Sequence, residues 1–377
     1  MPVQELGEGT HSFLGYIYPD VTGGLGMVNG IEPNKTVTLS FPQVSHSCLT
    51  NMKQGYFIGK SARCICRATF DGYPKGSGQW YKEDQTVRTI GDLGVTYNES
   101  NPEQVYTCET KSALGRKPGS TLIAKFAFID PDSVQIASSS SEVNLRGNNN
   151  QVQVACKISR DHVSPAPTFS FSVDGPRSQG PQPGTHSSDD NYYQSQFSLS
   201  PDVVGQYQVT CRVTNSVTTT WQDNSTKITF YTKPENPSCT LSEDTRYGTI
   251  TSVDVTCSTS KVYPEAKCSF YRKTNGGNDV KITRNPLYSH KALGSNPVYY
   301  SSQCSVSMPV QELGEGTHSF LGYIYPDVTG GLGMVNGIEP NKTVTLNSRE
   351  GALPHSQSLW DGPASPRGQK FKPTVLI

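Results

Sequence analysis

The sequence predicts an all-β protein built from tandem antiparallel β-sandwiches, and three observations carry that reading. First, short apolar–polar alternations recur at 121–128, 152–157, 207–213, 227–231 and 253–256, each bounded by Gly, Pro, Asn or Ser. A period of two is what a strand with one buried face shows. Second, Gly 35, Pro 26 and Tyr 19 among 377 residues, with an apolar fraction of 34%, favour turns and short strands. No stretch reads as an amphipathic helix. Third, β-rich runs end three times in proline, at Phe41-Pro42, Ile129-Asp130-Pro131 and Thr232-Lys233-Pro234. A residue without an N–H stops strand pairing there, and the intervals of 89 and 103 residues each suit one sandwich.

A repeat sets the phase of these modules. Residues 1–39 recur letter for letter as 308–346. The second copy begins in Cys304-Ser305-Val306-Ser307-Met308, so it reads as the middle of a folded module, and the chain therefore reads as a fragment that opens inside one. This gives a C-terminal remnant of a preceding module at 1–41, three modules at 42–131, 132–234 and 235–346, and a disordered tail at 347–377. The tail carries Pro354, Pro363, Pro366 and Pro373 and no strand pattern. Two junctions align: Asn34 through Pro42 leads to Ser47-Cys48, and Asn224 through Pro234 leads to Ser238-Cys239. Residues 36–41 thus read as the last strand of the remnant and 343–346 as the start of the third module's last strand. The remnant strand either stays disordered or completes the third module by strand donation.

Charge narrows the function classes. Lys+Arg and Asp+Glu both number 32, so no field gathers nucleic acid or an anionic membrane. No apolar run approaches the roughly 20 residues that span a bilayer, and the N-terminus has no secretory signal pattern. Membrane attachment would need a segment absent from this chain. The ten cysteines, spread singly instead of in CxxC pairs, point to disulfides and an oxidising compartment and away from zinc.

The strongest signal lies in the middle of each module. Cys66 is followed by Trp80 and then by Tyr106-Thr107-Cys108. Cys156 precedes Phe169, and Tyr207 stands four residues before Cys211. Cys257 precedes Phe270-Tyr271-Arg272, with Tyr299, Tyr300 and Cys304 beyond. Over about 42–346 this constellation resembles the immunoglobulin superfamily. The resemblance implies Greek-key sandwiches with core bridges Cys66–Cys108, Cys156–Cys211 and Cys257–Cys304, packed against the core aromatics Trp80, Phe169 and Phe270. It also implies extracellular recognition without catalysis or cofactor. Four cysteines remain. Cys48 and Cys239 each lie 18 residues before a core cysteine, while Cys64 and Cys268 share a face with Cys66 and Phe270. We expect accessory bridges Cys48–Cys64 and Cys239–Cys268. Free thiols, or Cys64 exchanging roles with Cys66, stay open, because four cysteines allow three connectivities.

Residues that could carry chemistry do not converge. His11, His46, His162, His186, His290, His318 and His355 show no metal-ligand spacing and read as exposed loop residues. Gly23-Gly24-Leu25-Gly26 and its copy at Gly330 lack the Lys-Ser/Thr and helix of a phosphate loop, and no serine sits in a nucleophile elbow. Asn34, Asn98, Asn224 and Asn341 lie in glycosylation sequons in loop settings. The 37 residues between Cys304 and Asn341 read as a long loop joining the last two strands and holding the aromatic, strand-like run 320–326, with Phe320, Tyr323 and Tyr325 as a candidate binding loop or part of a supplementary hairpin that covers an edge. The reading is therefore an adhesion or recognition ectodomain that contacts a protein ligand or a second copy of itself, extracellular or at the plasma membrane. A secreted soluble recognition protein of the immune type is the alternative.

Overall fold

The computed structural model describes residues 3–13, 36–68, 73–82, 89–295 and 297–347. Asn34, His355, Gly23 to Gly26 and nearly all of the tail expected to be disordered lie outside them. The regular structure of the described chain is strand, except for four-residue helices at Val3–Leu6 and Val310–Leu313 and two short 3-10 turns. It divides into two compact units, Met1–Tyr231 and Thr232–Ile377.

The first unit holds two separate hydrophobic cores. Around the first, the strands Val44–Cys48, Ser61–Ala68 and Asp92–Thr96 form one sheet, and Gly115–Ala124, Gln104–Ser112, Ser77–Tyr81 and Thr89–Ile90 form the other. The alternation foreseen at Cys64 and Cys66 puts both sulfurs inside, with Ala62. Around the second core, Gln135–Ser138, Val152–Ser159, Tyr192–Leu199 and Thr185–Ser188 face Gln179–Gln182, Thr168–Asp174, Gly205–Thr214 and Trp221–Glu235. In both, a strand near the start pairs in parallel with the last one: Tyr56–Ile58 with Phe126–Ile129, and Glu142–Asn144 with Trp221–Glu235. Asn215 joins the two sandwiches. It is fully buried, and its Nδ2 donates to Phe128 O at 2.8 Å and to Ser164 O at 2.7 Å.

The second unit has one core. Ser238–Arg246, Thr249–Tyr263, Tyr299–Pro309 and Leu287–Leu293 form one sheet in that order, and Val280–Lys281, Ala266–Thr274, Gly316–Pro326 and Val344–Leu346 form the other. This strand order, with neighbours in space that are not neighbours in sequence, is a Greek key. Pro234, expected to end pairing, instead sits inside the Trp221–Glu235 strand. The ladder to Thr249–Tyr263 slips between Thr232 and Glu235, which accommodates a residue with no N–H to give.

Where both copies of the repeat are described, their paired strands match. Gly9–His11 pairs with Val37–Leu39 in the register Gly9↔Leu39, Thr10↔Thr38, His11↔Val37, and Gly316↔Leu346, Thr317↔Thr345, His318↔Val344 repeats it. Even the cross-strand Thr–Thr hydroxyl contacts match, at 3.0 and 3.1 Å. The partner of Val37–Leu39 is therefore a strand of its own copy and not the third module. Surroundings differ: Phe320 is 2% exposed in the second unit's core, whereas Phe13 is 43% exposed. The first copy instead engages Lys117, which pairs with Glu8 at 3.1 Å while Glu8 accepts the Phe41 N–H at 2.9 Å.

Candidate interaction surfaces and the bridged cores

Each core is built around sulfur. Cys66 and Cys108, on facing sheets, form a bridge with Cα atoms 5.6 Å apart. Trp80 is the cross-strand partner of Cys108, is 1% exposed, and donates its indole N–H to Gly91 O at 3.0 Å. In the second sandwich Cys156 and Cys211 bridge the sheets with Cα atoms 6.4 Å apart. Here the residue opposite the second cysteine is Phe171, fully buried and paired with Cys211, while Phe169 lies two residues away and is also buried. The sequence signal for Phe171 was present, since Phe169 and Phe171 share a face, but only the register distinguishes them. Tyr207, buried at 1% exposure, donates to Val203 O at 3.0 Å, tying the strand to the backbone of the preceding corner.

The third sandwich overturns two expected bridges. Cys257 bonds Cys239, and Cys268 bonds Cys304. The reason is the sheet to which each belongs. Cys239, Cys257 and Cys304 are neighbours across three adjacent strands of one sheet, in the registers Cys239↔Cys257 and Cys257↔Cys304. Cys268 is the cysteine on the facing sheet, so an inter-sheet bridge must include it. Cys304 reaches it, and Cys257 turns to its other neighbour. The strand Tyr299–Pro309 therefore holds the place of Tyr192–Leu199, not of Gly205–Thr214. The strand equivalent to Gly205–Thr214 is Gly316–Pro326, where Gly322 pairs with Phe270 just as Cys108 pairs with Trp80 and Cys211 with Phe171. A Cβ at Gly322 would lie 2.6 Å from Cys239 Sγ and closer still to Cys257 Sγ. Both sulfurs of the Cys239–Cys257 bridge occupy the space of the missing cysteine side chain. Sequence reasoning missed Gly322 because it anchored the strand on a cysteine. Phe320-Leu321-Gly322 answers to Tyr106-Thr107-Cys108, with no sulfur to mark it. In the first sandwich Cys48 and Cys64 are likewise cross-strand partners bonded within one sheet.

The candidate binding loop is thereby corrected. Phe320, Tyr323 and Tyr325 lie on the eleven-residue strand Gly316–Pro326 in the body of a sheet. Alternation turns Phe320 and Ile324 into the core and leaves Tyr323 and Tyr325 half-buried on the outer face. There Tyr323 packs edge-on against Tyr271 at 5.6 Å and Tyr325 hydroxyl meets Ser269 at 3.1 Å. The backbone at 337 lies over Leu321 and Tyr323, so these rings support a covering segment instead of facing solvent.

Histidines are also mostly in strands, not exposed loops. His318 is fully buried and contacts Gly314 O at 3.0 Å and Thr274 Oγ1 at 3.0 Å. His46 meets Ser120 at 2.8 Å. His162 in its 3-10 turn contacts Asp130 at 2.8 Å. The Gly330 copy of the glycine run forms a 3-10 turn at Gly331–Met334. Among the described residues no three His, Cys, Asp or Glu side chains gather as a metal site. Asn98 and Asn341 are exposed, and Asn98 Oδ1 accepts the Ser100 N–H at 3.0 Å. Asn224 is exposed but sits in a strand, not a loop, paired with Cys211, and its Nδ2 donates to Val134 O at 2.9 Å, just before the strand Gln135–Ser138.

Solvent-facing apolar pairs mark the outer surface. Val105 and Ile123 are cross-strand partners in the first sandwich, each 48% exposed. Electrostatics on the surface are local. The Asn191 and Tyr192 N–H groups hold the Asp189 carboxyl below the ordinary carboxylate range, and the Arg284 guanidinium does the same for Glu312.

These strand orders, inter-sheet bridges and facing aromatics define tandem immunoglobulin-like β-sandwiches. No protein-family model and no curated protein matches the chain. Among solved structures the chain is similar to an ICAM-5 D1–D4 ectodomain fragment, at TM-score 0.42 and 10% identity over 80% of this chain and 76% of that one. It is similar to the full ectodomain (Ig1–Ig3) of mouse nectin-like molecule 4, at TM-score 0.34 and 11% identity over 81% and 94%. It is similar to bovine butyrophilin, at TM-score 0.31 and 12% identity over 57% and 99%. The fold assignment rests on the geometry above and not on these matches.

Proposed function

We propose that the chain is an extracellular or cell-surface recognition array of the immunoglobulin superfamily that binds a protein partner and performs no catalysis. Its domains are 42–131, 132–234 and 235–346. The observation that carries this reading is the oxidised state of every cysteine: ten residues form five bridges distributed over three cores. Such bridges persist in secretory and surface compartments. Sandwiches of this size expose broad sheet faces, and Val105 with Ile123 supplies an apolar patch of the kind a protein partner covers. Asn98 and Asn341 are exposed acceptors for N-glycans in that compartment.

Beads coated with the oxidised full chain should adhere to cell surfaces or to one another, and Val105→Lys with Ile123→Glu, an opposite-charge cross-strand pair, should reduce adhesion with little change in the melting temperature. Adhesion no greater than that of blank beads would overturn the reading.

A further inference from the structure

We propose that the strand Leu287–Leu293 is a homophilic interface, pairing antiparallel with the same strand of a second copy of this chain. The proposal names a partner within the recognition reading above. Its starting point is the way several other sheet edges are blunted. A free edge exposes unpaired N–H and C=O groups and recruits other strands unless charge, proline or shortness prevents it. Gly115–Ala124 carries Arg116, Lys117 and Pro118, Gln179–Gln182 carries Pro181, and Ser238–Arg246 carries Glu243, Asp244 and Arg246. Thr185–Ser188 has four residues and no large apolar side chain.

Leu287–Leu293 has none of these protections beyond Lys291. It is seven residues long and, among the described residues, pairs only with Tyr299–Pro309. Leu287 is 76% exposed and Tyr288 44%. Its order, Leu-Tyr-Ser-His-Lys-Ala-Leu, places a leucine at each end. With a two-fold axis at His290, Leu287 faces the partner's Leu293, Tyr288 the partner's Ala292, and Ser289 the partner's Lys291. No acidic or basic side chain then faces its like except the two His290 rings. Those are already oriented, because His290 Nδ1 lies 3.0 Å from Ser302 Oγ and the ring stacks on Tyr288 at 5.8 Å. Side-chain directions agree as well. Tyr288, His290 and Ala292 pair with Cys304, Ser302 and Tyr300 on one face, and Leu287, Ser289, Lys291 and Leu293 share the other. A two-fold interface is self-complementary by construction, and this register pairs leucine with leucine at both ends and sets no lysine against lysine.

The test is the self-association constant of the oxidised full chain by sedimentation equilibrium. The chain should dimerise. Leu287→Glu should weaken the dimer roughly tenfold, because symmetry removes the contact twice, and at dilutions where both proteins are monomeric it should not shift the melting temperature, since Leu287 is exposed. Adding Leu293→Lys to Leu287→Glu should restore association, because only the antiparallel register sets those two positions opposite each other. A monomer at all concentrations, a dimer indifferent to Leu287→Glu, or no recovery in the double variant would each overturn the pairing. A monomer would leave adhesion to a different protein to its own bead assay.

Discussion

Gly322 shows how one missing Cβ redirects the covalent chemistry of a domain. With no side chain there, the two sulfurs of the Cys239–Cys257 bridge fill the gap, and Cys268 is left to reach Cys304. Gly322→Ala should therefore destabilise the third sandwich by about 1–3 kcal/mol through overpacking, read as a loss in denaturant midpoint. Trp80 is the opposite case, a large ring already seated against a bridge. Trp80→Ala should cost ~3–5 kcal/mol and lower the first transition in a melting curve. Trp80, Cys66 and Cys108 were legible in the sequence because residue type and spacing both mark them. Gly322 and Phe171 were not, because their roles come from cross-strand register, which no local spacing encodes.

Strands were legible where one face is buried, since alternation is then strict, as in Val152–Ser159 and Gly205–Thr214. The strand Gly316–Pro326 alternates just as strictly in burial, yet from sequence its strand-like run falls within a loop, because its position in the fold is inferred from the wrong cysteine. Turns between strands carry their own electrostatics. Asp189 accepts the Asn191 and Tyr192 N–H groups at 2.9 and 2.7 Å beside the Thr185–Ser188 and Tyr192–Leu199 strands. Its folded pKa lies below the unfolded value, so its stabilising contribution is present above the ordinary carboxylate pKa of about 3.9. It is lost as pH falls through the lower folded value. Asp189→Asn should accordingly flatten the acid side of the stability profile, measured as melting temperature against pH below about pH 4. Asn215 acts between elements. Asn215→Ala leaves the Phe128 and Ser164 carbonyls without their Nδ2 donor and should cost ~1–3 kcal/mol for each group left unsatisfied.

At the scale of the molecule, the all-β class and the tandem sandwiches followed from periodicity, punctuation and cysteine spacing, while connectivity inside the third core did not. Four cysteines fall within one hydrophobic cluster there, and the sheet to which each belongs decides the pairing. The bridges should stabilise their sandwiches by ~2–5 kcal/mol each, which ties the whole account to an oxidising compartment. Peptide mapping of the folded, unreduced chain tests that claim most directly. The account predicts Cys48–Cys64, Cys66–Cys108, Cys156–Cys211, Cys239–Cys257 and Cys268–Cys304, with no alkylatable thiol. Recovery of Cys257 joined to Cys304, or of free thiols in the three cores, would contradict it.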